Sequence, residues 1–207
     1  MMPTIEGYYL QSAAQRSGGV MSLFDDAARF AVDAHAGMMR KGDAMPYVLH
    51  PFEVASIAAT ITKDEEVLAA ALLHDTVEDA GAMLEEIRER FGDRVAALVD
   101  SETEDKHPEL PKSESWRLRK EESLEELAAA TDDGVLVLWL ADKLSNMRSF
   151  ARMYRHEGDK VWSHFNQSDP EAHHWYYRSV ADMTRQLSAS DAWGEYDALV
   201  KSVFNEE

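Results

Sequence analysis

The chain has no cysteine, and only six prolines and ten glycines, in 207 residues. Without cysteine there is no disulfide framework, no thiolate metal site and no cysteine nucleophile. Positive charge is scarce: 21 Lys and Arg against 39 Asp and Glu give a formal net charge of −18. That balance argues against a nucleic-acid partner, which needs a basic face. No apolar run approaches the roughly 18 residues of a membrane span, and no signal-type apolar segment opens the chain. A membrane partner is therefore not expected, and the cytoplasm is the expected location. Strand pairs, βαβ alternation and internal repeats are also missing. Hydrophobic residues are not: at 45% of the chain they suffice for one packed core at this length.

The apolar spacing predicts an all-α protein, a single helical bundle of roughly eight to ten helices. Residues 1–20 show no sustained period and contain Ser17-Gly18-Gly19, so they read as an N-terminal tail or docking segment. Residues 21–207 read as one domain. Ser22 is placed to cap a first helix and Asp64 a third, which runs from Glu65 to about Asp79. Arg40 to Pro46 reads as a loop, and Pro51 as the opening of the second helix, with His50 extended just before it. Thr103 to Ser113 reads as a charged surface loop, and Trp116 to Ala130 as a charged helix. Val135 to about His156 is long enough to be a helix despite its strand-like start. The aromatics between Phe165 and Tyr177 read as core packing.

Polar residues interrupt the apolar stripes in three places. In the third helix Asp75 continues the face of Leu68, Ala71 and Leu72, with His74 and Glu78, and Asp75 and Asp79, each four apart. In the long helix the stripe Val135, Leu138, Trp139 runs on into Asp142, Asn146 and Ser149. The third interruption is His50, beside the local basic spot Arg40-Lys41. A carboxylate on an apolar face needs a partner, because burying an unpaired charge is costly. Together His50, His74, Asp75 and Asp142 offer two imidazoles and two carboxylates. Such a set suits a divalent first-row ion with open positions for water and substrate. Glu78 and Asp79 stand one turn away, suited to handling protons.

These residues, in this order, resemble the HD superfamily of metal-dependent phosphohydrolases, and within it the RelA/SpoT-type hydrolase domain. The stretches that carry the resemblance are Ala34-His35-Ala36-Gly37 with Arg40-Lys41-Gly42, Pro46-Tyr47-Val48-Leu49-His50-Pro51, Leu72-Leu73-His74-Asp75-Thr76-Val77-Glu78-Asp79, and Leu140-Ala141-Asp142-Lys143-Leu144-Ser145-Asn146-Met147-Arg148-Ser149. They span about residues 30 to 150. The resemblance implies metal ligation by His50, His74, Asp75 and Asp142, with Mn²⁺ as the usual ion and Fe²⁺, Zn²⁺, Co²⁺ or Mg²⁺ as substitutes. It implies Glu78 and Asp79 as the catalytic acidic pair and Arg40, Lys41, Asn146 and Ser149 near the nucleotide. Lys143 and Arg148 join them as cations available to a polyanionic substrate. His35 reads as a packing residue rather than a ligand.

The implied reaction is removal of the 3′-pyrophosphate of the guanosine alarmones ppGpp and pppGpp by a metal-activated water. The bifunctional family members add synthetase and regulatory domains, which 207 residues do not hold, so the expectation is a stand-alone small alarmone hydrolase. The same centre also suits an adenine alarmone, a nucleoside 5′-monophosphate or a phosphorylated dinucleotide cofactor. A site of this kind can also serve a non-catalytic alarmone-binding module. Five tryptophans and the acidic surface are compatible with a homodimer.

Overall fold

The computed structural model describes residues 22–40 and 45–206. The segment 1–20 and Lys41, both assigned roles above, lie outside the described residues. Among those described there are nine α-helices: α1 Leu23–Ala34, α2 Leu49–Ile61, α3 Glu65–Glu78, α4 Leu84–Phe91, α5 Asp93–Asp100, α6 Lys112–Ala129, α7 Asp133–Glu157, α8 Pro170–Met183 and α9 Asp191–Phe204. Two 3₁₀ segments, Gly158–His164 and Arg185–Leu187, flank α8. Extended pairing among the described residues is limited to one isolated bridge between Met39 and Pro46. The all-α bundle stands as expected.

The predicted caps are in place. Ser22 Oγ accepts the Asp25 N–H at 3.1 Å to start α1, and Asp64 Oδ1 accepts the Glu66 N–H at 3.0 Å to start α3. One expectation is corrected. His50 is not extended ahead of α2 but lies in its first turn, which begins at Leu49. The Pro46–Tyr47 turn, closed by the His50 N–H on Tyr47 O at 2.9 Å, winds the chain into helix two residues early. Pro51 is tolerated there because first-turn N–H groups lack intrahelical acceptors.

α3 is apolar on every side. Val67, Ala69, Ala70, Ala71, Leu72 and Leu73 are all buried, the signature of a central rather than a surface helix. Its alanines let α1, α2, α5 and α7 pack closely around it. Gly134, at the start of α7, shows how close: a Cβ there would stand 2.8 Å from Val67 Cγ2 and 3.2 Å from Leu98 Cδ2. The first half of α7 is likewise buried from Val137 to Ala141. Its second half leaves this core to meet α8, α9 and the 3₁₀ segment. There Phe150 packs on Trp162 and Phe204, with ring centroids 4.9 and 6.3 Å apart. His173 and Tyr176 are core residues, as the packing reading expects.

Arg94 of α5 ties two helix starts together. Its guanidinium donates to Asp64 at 2.7 Å, Glu66 at 2.9 Å and Asp132 at 2.7 Å. The Arg94 hydrogen bonds hold the Asp64 and Asp132 carboxyls below their usual pKa. Carboxyls depressed in the folded state add stability above their unfolded pKa, and lose it as pH falls through the folded values. Arg94→Ala is therefore expected to cost about 1 kcal/mol at pH 7, the cluster being partly screened by solvent. Urea unfolding should show this deficit closing below the ordinary carboxylate range.

Candidate metal centre and cleft

The three polar interruptions meet because the helices that carry them pack against one another. The first turn of α2 supplies His50, the last turn of α3 supplies His74 and Asp75, and the middle of α7 supplies Asp142. His50 Nε2 lies 3.4 Å from Asp75 Oδ2 and 3.0 Å from Asp142 Oδ1. His74 Nε2 lies 3.2 and 3.6 Å from the same two oxygens. Ligand atoms of the buried trio His50, His74 and Asp142 all fall within 4.8 Å of one another.

Both imidazoles are committed on their other nitrogen. His74 Nδ1 is 2.9 Å from the Ala71 carbonyl, and His50 Nδ1 is 2.9 Å from Ser145 Oγ. A carbonyl only accepts, so His74 Nδ1 carries the hydrogen. Its Nε2, buried, then faces the carboxylates, where a proton or a metal ion must stand between nitrogen and oxygens. Acceptors converging on one point call for a cation among them, and two nitrogens with two carboxylate oxygens fit a divalent metal ion. Electrostatics agree with that demand. Burial disfavours charge on His74, yet Asp75 and Asp142 outweigh it and hold its pKa well above the usual imidazole value. Burial likewise opposes the Asp75 carboxylate, which His74 nonetheless pulls below the usual range.

The remaining oxygens are also held. Asp142 Oδ1 accepts from Asn146 Nδ2 at 2.8 Å, and its Oδ2 from Lys143 Nζ at 2.6 Å. The Lys143 ammonium also donates to Glu102 at 2.9 Å. The Tyr47 hydroxyl bridges Asp75 at 2.7 Å and Asp79 at 2.9 Å; burial and the two carboxylates keep it protonated. His35 is buried against Tyr47, ring centroids 5.0 Å apart, a packing position as expected. Glu78 is pushed up from the usual carboxylate range, by burial first and then by Glu104 and Asp79. Lys106 bridges the acidic pair, donating to the Glu78 carbonyl at 2.8 Å and to Asp79 at 3.2 Å.

A cleft of about 670 Å³ opens beside this centre. Arg40, Tyr47, Asn146 and Ser149 line its inner side, and Phe150 and Tyr177 contribute aromatic faces. Tyr47 and Asn146 also border a smaller pocket of about 200 Å³ at the centre itself, with Glu78, Arg119 and Lys120. Arg40 donates to Asn146 Oδ1 at 2.8 Å, brought there by the Met39–Pro46 bridge. Arg152 donates to Ser149 Oγ at 2.8 Å.

Of the expected substrate cations, Arg40 faces the cleft. Lys143 is buried in its two ion pairs, and Arg148 is held by Glu53 at 3.1 Å and Glu195 at 2.6 Å. Sequence alone assigns no role to Tyr47, Glu53, Glu102, Lys106, Arg119 or Lys120. Tyr47 stands inside the Pro46–Pro51 motif, which is the signal that marks it. The others lie in stretches read as charged surface, or beside an apolar stripe, and no local period marks them.

Residues 27–169 match the family model described as the HD domain. The human guanosine-3′,5′-bis(diphosphate) 3′-pyrophosphohydrolase MESH1 is 44% identical over 131 residues, which cover 61% of this chain and 69% of that protein. A protein of the same enzyme name from Aquifex aeolicus is 40% identical over 123 residues, covering 59% of this chain and 17% of its own. The chain thus spans about one sixth of the length of such long curated relatives. A solved structure described as a metazoan ortholog of SpoT that hydrolyzes ppGpp superposes with a TM-score of 0.70 at 28% identity, covering 89% of this chain and 97% of that one.

Proposed function

The chain belongs to the HD-domain family, and on that premise we propose that it hydrolyses guanosine alarmones, releasing the 3′-pyrophosphate of ppGpp and pppGpp. The observation that carries this reading is the convergence of His50, His74, Asp75 and Asp142 on one point. That point borders a small pocket that shares Tyr47 and Asn146 with a neighbouring cleft, whose walls include Phe150 and Tyr177 and whose volume suits a nucleotide. The names of the human and Aquifex aeolicus relatives support the same substrate class.

In this reading His50, His74, Asp75 and Asp142 hold a divalent ion, with Mn²⁺ as the first candidate. When bound, such an ion supplies Lewis-acid chemistry, lowering the pKa of water and polarising a phosphoryl oxygen. The chain's own residues do the rest. Glu78, whose burial raises its proton affinity, accepts the proton of the attacking water on its carboxylate, the role a base of elevated pKa performs well. Lys106, 3.5 Å from that carboxylate and 3.2 Å from the Asp79 carboxylate, orients the acidic pair, and the Tyr47 hydroxyl fixes Asp79 relative to Asp75. Arg40 and Asn146 position the nucleotide, with Phe150 and Tyr177 offering faces for the base. Arg119 and Lys120, both paired with Glu104, supply positive charge to the pyrophosphate side. The summed charge of −18 does not forbid a polyanion, because charges beyond a Debye length of about 8 Å are largely screened.

Chelator-stripped protein is expected to release no pyrophosphate from ppGpp and to regain release on addition of Mn²⁺. An adenine alarmone run in parallel should turn over more slowly. Stoichiometric Mn²⁺ binding without turnover of either nucleotide would point instead to a binding module. Faster turnover of the adenine substrate would reassign the base preference.

A further inference from the structure

A chain of polar contacts runs from the metal centre to the protein surface. His50 Nδ1 lies 2.9 Å from Ser145 Oγ. Ser145 Oγ donates to Glu53 Oε2 at 2.7 Å. The other Glu53 oxygen, Oε1, accepts from Arg148 Nη1 at 3.1 Å, and Arg148 in turn donates twice to Glu195, at 2.6 Å each. His50 and Ser145 are buried, whereas the side chains of Glu53 and Arg148 are about 30% exposed. The contacts zigzag between α2 and α7 and end on α9.

Hydrogen-bond polarity along this chain is dictated from its outer end. An ionised carboxylate only accepts, so Ser145 must turn its single hydrogen toward Glu53. Ser145 then has only lone pairs left for His50, and the hydrogen between them must sit on His50 Nδ1. His50 Nε2 is thereby left as a bare lone pair aimed at Asp75 and Asp142. We infer that Glu53, oriented by Arg148, is a positioning residue that acts through Ser145 to keep His50 Nε2 available as a metal ligand. Arg148 thus acts through Glu53 and not on substrate. The inference rests on the metal-centre reading above.

Glu53→Gln tests it with almost no change of shape. Arg148 is a donor, so the amide oxygen turns toward it and the amide nitrogen toward Ser145. Ser145 then accepts from Gln, turns its hydrogen to His50 Nδ1, and drives the imidazole hydrogen onto Nε2, where it blocks ligation. Mn²⁺ affinity of the chelator-stripped full chain, read by EPR of free Mn²⁺, should fall by roughly 10- to 100-fold. The unfolding midpoint in EDTA should hardly move. Adding Arg148→Met frees the amide to rotate its oxygen toward Ser145, and most of the lost affinity should return. A merely structural role would lower the midpoint and be worsened, not rescued, by the second change. If Glu53→Gln does not fold, Ser145→Ala decides: weaker Mn²⁺ binding supports the relay and unchanged binding overturns it. Wild-type chain that binds Mn²⁺ no better than Glu53→Gln overturns this inference alone. Equal affinity of the single and double variants also overturns it. Wild-type chain that binds no Mn²⁺ overturns the proposed function and this inference with it.

Discussion

Asp75→Ala is expected to lower Mn²⁺-dependent pyrophosphate release from ppGpp by about 10³-fold or more, with the chain still folded. Asp75 Oδ2 stands 3.2 and 3.4 Å from the two histidine Nε2 atoms and accepts the Tyr47 hydroxyl at 2.7 Å. Its loss removes one anionic donor from the centre and frees Tyr47 from one of its two anchors. Metal-centred charge stabilisation contributes several kcal/mol to phosphoryl chemistry, and about 4 kcal/mol corresponds to 10³-fold in rate. Folding has little reason to suffer. The Asp75 side chain is 17% exposed at the end of α3, so water can fill the space. The substitution gives up the attraction of His74 and His50 for the carboxylate but also its repulsion with Asp142, and the two partly offset. Paired measurements of pyrophosphate release and thermal unfolding in EDTA check both halves. Unfolding of the variant would make Asp75 a structural residue, and retained turnover would remove it from the centre.

The second large effect is on stability. Lys143→Met is expected to cost about 3–5 kcal/mol, the range for breaking a buried pair by removing one partner. For a chain of this length that corresponds to a fall in Tm of roughly 10 °C. The Lys143 ammonium satisfies Asp142 and Glu102 and lies 4.6 Å over the Trp139 ring, at the wall of the small pocket of the centre. Were Lys143 instead a contact to substrate, the same change would raise KM and leave Tm alone. The deficit also has a predictable pH dependence. Burial pushes Glu102 up to about 7, against the pull of Lys143. A carboxyl with a raised folded pKa makes the fold less stable as pH rises between its unfolded and folded values. Without Lys143 that upper value moves higher and the loss continues further. The gap between wild type and Lys143→Met, measured in EDTA, should therefore widen from pH 5 to pH 8.

Much of this was legible along the chain. Helical periodicity is local, so α1, α3, α7 and the caps at Ser22 and Asp64 could be read directly. His74, Asp75 and Asp142 were visible because each interrupts an apolar face, and a polar residue on such a face must have a buried reason. Family resemblance added the order of the motifs, which spacing alone does not supply. Less was legible where the reason for a residue lies on another helix. Lys106, Glu102, Arg119 and Lys120 sit in stretches whose charge looks like solvation, and they reach the site only because α6 and the loop before it come back to the end of α3. Their contacts to Glu78, Asp79, Glu104 and Lys143 span 15 to 41 positions of sequence, too far for any periodic signal.

The sequence by itself determined that the chain is helical, that it buries one core, and that polar residues interrupt its apolar stripes, because periodicity and composition act without knowledge of partners. Only the tertiary structure decided which cations face the cleft and which are consumed by internal pairs. Lys143 and Arg148 read alike in sequence with Arg40, yet Glu102, just past α5, and Asp142 of α7 stand against Lys143, and Glu53 of α2 and Glu195 of α9 against Arg148. Arg40 instead is carried to the cleft by the Met39–Pro46 bridge. A charge has no assigned role until its neighbours are fixed, and Glu102, Glu53 and Glu195 are brought to Lys143 and Arg148 from 41, 95 and 47 positions away in the sequence.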